Sequence, residues 1–229
     1  MKTLTAVLES AVTPLYESLL DDFDTLVANT DYKKDVIQFL SDNYMGDFKI
    51  SQKPNKEGFY IVTNATSKQI KTINKQMHSL TNGLFIFGTI TSDFFISRMD
   101  NLESLQGAPK KITGSFLCND CPKLKNFIGG PKEVCRDVQC EFSGIESLEG
   151  APVKVGLDFD CNHCYNLTSL KGAPKTVGNC FYCYGCKNLE SLEGAPKTVS
   201  YAFDCSGCKV QFTEEDVKKV SKVKKTIRV

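Results

Sequence analysis

The sequence predicts an α+β chain built on a parallel-strand repeat solenoid, with a helical and α+β cap before the repeats and a short capping helix after them. Three observations carry the prediction. Pro109, Pro131, Pro152, Pro174 and Pro196 recur every 21 or 22 residues, and a fixed period in the twenties marks a stack of repeated units. Around each proline the same positions stay apolar: seven and four residues before it (Leu167 and Leu170, for example), three after (Val177) and seven after (Phe181). Nine residues after every proline stands a cysteine, Cys118, Cys140, Cys161, Cys183 or Cys205, and twelve after stands Cys121, Ser143, Cys164, Cys186 or Cys208.

Each element follows from these columns. The Phe-x-Cys triplet alternates as a short strand does, with both marked residues on one face. Gly-Ala-Pro enforces a turn that no helix can run through. A unit is thus read as one strand and a tight return, stable only when stacked on its neighbours. Residues 84–100 hold a degenerate unit, with Ile90 at the valine position, Phe94 at the phenylalanine position, and Ile96 and Met99 at the two cysteine positions.

Phe181-x-Cys183-x-x-Cys186-x-x-Leu189-x-x-Leu192 resembles the leucine-rich repeat, with cysteine where that family has Leu and Asn or Cys. The likeness spans about Ile90 to Phe212 and departs in an extra residue before Phe181 and in the short Gly-Ala-Pro return. The repeat wording also resembles repeats encoded by large tailed bacteriophages. The opening Met1–Leu4 and the later Ser18–Leu26 resemble leaders of virion-packaged phage proteins, which implies a docking or capsid-targeting segment.

The remaining chain is read around that core. Residues 1–28 form a helical leader broken at Pro14, and 29–83 a small α+β region. In the latter, a helix capped by Asp31 runs to about Asn43, strands at Phe48–Ile50 and Phe59–Val62 flank a turn, and a second helical pattern covers 67–78. The solenoid occupies 84–212. Residues 213–229 begin with Thr213 as N-cap and acids in the first turn, then end in a basic tail.

With 28 basic and 27 acidic residues, overall charge gives no reason to expect nucleic acid. No apolar run approaches the roughly 20 residues of a membrane span. Glu9 and the acids from Asp21 interrupt any secretory signal, so the eleven cysteines are expected as free thiols in a reducing compartment, host cytoplasm or virion.

The Cys-x-x-Cys pairs invite a zinc or redox reading, with Cys161, Cys164, Cys183, Cys186, Cys205 and Cys208 as ligands. Packing is favoured instead, because Ile96, Met99 and Ser143 replace cysteine in the same columns. His163, between Cys161 and Cys164, is read as a lone solvent histidine. No phosphate loop, nucleophile elbow or paired-carboxylate motif occurs, so neither enzymatic activity nor a cofactor is expected.

Residues beside the Phe and Cys of each strand should face outward. They include Asp137, Asp158, Asp160, Asn162, Tyr182, Tyr184 and Asp204, an acidic face bearing two tyrosines. This face is expected to bind a protein, with no membrane or nucleic-acid partner. A structural virion passenger directed by its leader is the other alternative. The sequence leaves the oligomeric state open.

Overall fold

The computed structural model describes residues 32–42, 47–50, 59–66, 68–70 and 85–229. The chain divides between Tyr44 and Met45 into two units. In the first, helix α1 spans Tyr32–Asp42. Its proposed cap Asp31, the leader 1–28 and most of the helical pattern at 67–78 lie outside the described residues.

The second unit is a parallel-strand β-solenoid of about seven turns. It opens with β1 (Phe48–Ile50) and β2 (Phe59–Thr63), an antiparallel pair at the expected positions, and β2 pairs in parallel with β3 (Phe85–Ile90). From there each coil lays down two strands, where one had been expected. Strands β3, β5 (Lys111–Ile112), β7 (Glu133–Val134), β9 (Lys154–Val155), β11 (Thr176–Val177) and β13 (Thr198–Val199) continue the first, nine-stranded sheet. The Phe-x positions form the second, seven-stranded sheet: β4 (Phe94–Phe95), β6 (Phe116–Leu117), β8 (Val138–Gln139), β10 (Phe159–Asp160), β12 (Phe181–Tyr182) and β14 (Ala202–Asp204). Strands of two residues are too short to show alternation, and this hid the first series. Helix α2 (Glu214–Val220) follows, capped by Thr213 as expected, and β15 (Lys222–Val223) and β16 (Thr226–Arg228) complete the two sheets.

The register matches the repeat columns. Ile90 pairs with Ile112 and Phe94 with Phe116, so residues 84–100 do form a coil. Phe116, Val138, Phe159, Phe181 and Phe203 are buried, as are the Val column and the Leu columns apart from half-buried Leu102. Phe159 lies 5.5 Å from Phe181, centroid to centroid, and Phe181 lies 5.0 Å from Phe203. Val138 is the small member of its column, and in the same coil Phe127 replaces the usual leucine and places its ring 5.9 Å from Phe159. Volume lost at one column is restored at another, as close packing requires.

Between coils the connection is a turn; from residue 85 to Phe212 no helix occurs, unlike the helical return of many leucine-rich repeats. In the Leu170-Lys171-Gly172-Ala173 turn the Ala173 N–H donates to the Leu170 carbonyl at 3.1 Å, and Gly172 has φ of 86°. A positive φ at the third position calls for glycine.

Candidate functional site

The cysteines are free thiols, buried except for half-buried Cys208 and for Cys135, which lies outside the two columns and is exposed. In the second cysteine column each side chain reaches back one coil. The thiols of Cys164, Cys186 and Cys208 donate to the carbonyls of Cys140, Cys161 and Cys183 at 3.1, 3.2 and 3.2 Å. Ser143 does the same to Cys118 at 2.8 Å, which explains why serine fits the column: a small donor reaches the carbonyl of the preceding coil there, a role that Met99 in the first coil does not share. In the first column, Cys140, Cys161 and Cys205 donate forward to the carbonyls of Asp160, Tyr182 and Arg228 at 3.3, 3.2 and 3.7 Å. Burial pushes the Cys118 and Cys183 thiols well up, and Cys205 to about 12, whereas hydrogen bonding with Cys183 draws Cys208 down. Metal ligation requires thiolates, and among the described residues no group of three or more His, Cys, Asp or Glu side chains is arranged to hold a metal ion.

Of the proposed binding residues, Asp160, Tyr182 and Asp204 stand in register on strands of the second sheet, Asp137 and Asp158 just precede its strands, and Asn162 and Tyr184 follow them. Much of their polarity is turned to the fold itself. Asp137 accepts the Asp158 N–H at 3.1 Å, and Asp158 accepts the Cys180 N–H at 2.8 Å. Asp93 accepts the Ser115 N–H at 2.7 Å, so in three coils a carboxylate satisfies an amide at the corner between sheets, and in the coil of Ser115 the hydroxyl accepts it at 3.4 Å. Asn162 accepts the Tyr184 N–H at 2.7 Å. Asp204, buried, accepts from both the N–H and hydroxyl of Ser206 and lies 3.7 Å from Arg228. Hydrogen bonding with Cys180 holds the Tyr182 hydroxyl protonated well beyond its ordinary range. Tyr184 alone among the seven is exposed.

Tyr184 belongs to a cluster that single-strand reasoning missed. Eleven residues after each proline the chain turns left-handed. Asp120, Phe142 and His163 have φ of 54°, 54° and 56°, while the next coils place Gly185 and Gly207 there at 68°. A side chain in this conformation costs about 1–2 kcal/mol. The backbone enforces it regardless, because the His163 N–H donates to the Tyr184 carbonyl at 2.9 Å and the Phe142 N–H to Asn162 at 3.1 Å. His163 is therefore no isolated solvent histidine. Its ring stacks on Phe142 at 4.6 Å and 16°, meets Tyr184 edge-on at 5.1 Å and 85°, and lies 5.9 Å from Tyr165. A Cβ on Gly185 would fall 2.6 Å from His163 Nδ1, so glycine makes room for the ring. That Nδ1 is buried without a hydrogen-bond partner. Phe142, Tyr165 and Tyr184 are 51, 47 and 45% exposed. Stacking the residues of this column would have shown aromatic rings in the coils that precede the glycines.

Carboxylates border the cluster. Burial, with Glu141 and Asp158 nearby, pushes Asp160 up to about 7, against the opposing effect of the Asn162 N–H. In the unfolded chain an aspartate titrates near about 3.9. Between those values the native state keeps a proton that the unfolded chain has lost, so stability should fall as pH rises from about 4 to about 7 and level off above. Asp160→Asn should flatten this slope. Urea midpoints at pH 5 and pH 8 provide the check, and an unchanged slope in the variant would exclude Asp160 as the group responsible.

Among the described residues no helix is long and apolar enough to cross a membrane. Comparison with protein-family models, curated proteins and solved structures finds no match to this chain, so the reading of its function rests on the geometry above.

Proposed function

We propose that this chain is a non-enzymatic protein-binding solenoid that engages a basic segment of its partner through the aromatic corner and the acidic face beside it. The supporting observation is the exposure of Phe142, Tyr165 and Tyr184 around His163, with Phe142 and His163 themselves in a backbone conformation that glycine would adopt more readily. Strained residues held in place by their surroundings cluster at functional sites. Exposed aromatic rings beside carboxylates suit lysine or arginine, which gain from the ring face and from the charge. The likeness of the repeat wording to phage-encoded and leucine-rich repeats points to host, defence or virion proteins as the pool of partners.

An array of basic, neutral and acidic peptides, followed by fluorescence anisotropy on the peptides retained, tests this reading. Affinity should fall with salt, and Tyr182→Ser with Tyr184→Ser should weaken it by about 2 kcal/mol or more while leaving the melting temperature nearly unchanged. Lys175→Ser with Lys197→Ser should not weaken it. Retention of acidic peptides, lost with the lysine pair, would place the working surface on the other sheet.

A further inference from the structure

The net charge of +1 conceals a segregation of charge between the two sheets. Along the first sheet the coils present lysines in a staggered row: Lys110, Lys132, Lys175 and Lys197 stand one residue before strands β5, β7, β11 and β13, and Lys154 and Lys222 are the first residues of β9 and β15. The backbone amides of Lys132, Lys197 and Lys222 donate to the carbonyls of Lys110, Lys175 and Lys197 at 2.8, 2.9 and 3.0 Å, so each of these pairs joins successive coils. All but Lys110 are exposed, and Arg136, Lys224 and Lys225 are exposed beside them. Glu133 interrupts the row, but Lys111 occupies its carboxylate at 2.9 Å. Among the described residues none of the six lysines in the row forms an ion pair.

We propose that this face is a second binding surface, for the phosphodiester backbone of a nucleic acid. Strands in a sheet are about 4.8 Å apart, so the row from Lys110 to Lys222 is about 24 Å long and little more than one lysine wide. That shape fits a linear polyanion better than a flat membrane surface. Lysine ammoniums act as point charges that need no fixed partner geometry, which suits a backbone whose charge repeats regardless of sequence. An acidic peptide would need apolar anchors in pockets, and the strands from β5 to β13 are paired on both sides, so a peptide strand could not add among their lysines. The exposed ring of Tyr201, in the coil of Lys197, offers a base a stacking surface. This surface is separate from the aromatic corner and does not depend on the function proposed for it.

Fluorescence anisotropy with a fluorescein-labelled, mixed-sequence 30-nucleotide single-stranded DNA at 50–200 mM salt tests the proposal. Binding should be independent of sequence, with log K falling linearly against log salt. Lys132→Glu, Lys175→Glu and Lys197→Glu combined should weaken it at least tenfold and lower the slope by about 2, at about 0.7 per phosphate contact for single strands. The corresponding Lys→Gln triple, which adds no repulsion, should show a smaller loss in the same direction, and Tyr184→Ser should have no effect. No binding at 50 mM salt would overturn the proposal. So would polyglutamate competing as well as DNA at equal charge, or salt-sensitive self-association that accounts for all effects of the lysine variants, with the acidic face of a second copy as the occupant.

Discussion

Phe159→Ala is expected to remove about 3–5 kcal/mol of stability, the cost of emptying a buried aromatic site. The ring is fully buried, 5.5 Å from Phe181 above and 5.9 Å from Phe127 in the coil below. Coils on either side pin both neighbours, so the cavity has little room to collapse. Because a solenoid coil touches only its neighbours, the damage should stay local. Hydrogen exchange should quicken around β8, β10 and β12 before it does at β3 or β16. Tyr201→Ala, which truncates an exposed ring, should cost about 0.5 kcal/mol or less. Similar losses at Phe159 and Tyr201 in urea unfolding would contradict the assignment of the interior.

A second large effect is expected at Gly172, where alanine should cost about 2–5 kcal/mol by combining a left-handed backbone with overpacking. Gly172 has φ of 86°, and a Cβ there would lie 2.5 Å from both the Cα and N of Glu149 in the preceding coil. Backbone atoms cannot swing aside as a side chain can, so the coils would have to separate. Gly207 provides the contrast. Its φ is 68°, but the nearest obstacle to a Cβ is a ring atom of Tyr184 at 3.3 Å. Alanine at Gly207 should therefore cost only the conformational part, about 1–2 kcal/mol. If thermal melts show Gly207→Ala to be as damaging as Gly172→Ala, the close approach of coils at the Gly-Ala-Pro turn is wrong.

The sequence made the stack legible because its columns are long and chemically uniform. The period, the interior Phe and Cys columns, the disguised coil at residues 84–100 and the Thr213 cap could all be read from residue types at fixed offsets. The second strand of each coil could not, since Lys154–Val155 or Thr176–Val177 is too brief to declare a pattern. The role of the second cysteine column was half visible: Ser143 pointed to a small residue, but only the 2.8 Å bond to the Cys118 carbonyl shows that the position is a donor. Likewise Asp137 and Asp158 read as surface acids, while the structure uses their carboxylates to satisfy amides of the next coil. The aromatic corner was missed because Phe142 and His163 share no residue type with the glycines of the next coils. Backbone conformation, which sequence similarity within a column does not report, is what unites them.

Phe142→Gly combined with His163→Gly tests most directly whether the corner exists for binding. Glycine is already the residue at this position in the next two coils, at Gly185 and Gly207. Relief of about 1–2 kcal/mol of conformational strain per site should offset the packing lost from half-exposed rings. The account predicts a melting temperature within a few degrees of the wild type, with affinity for a retained basic peptide reduced at least tenfold. A steep fall in melting temperature with peptide affinity unchanged would contradict it, showing that the rings serve the stack and that the binding surface lies elsewhere.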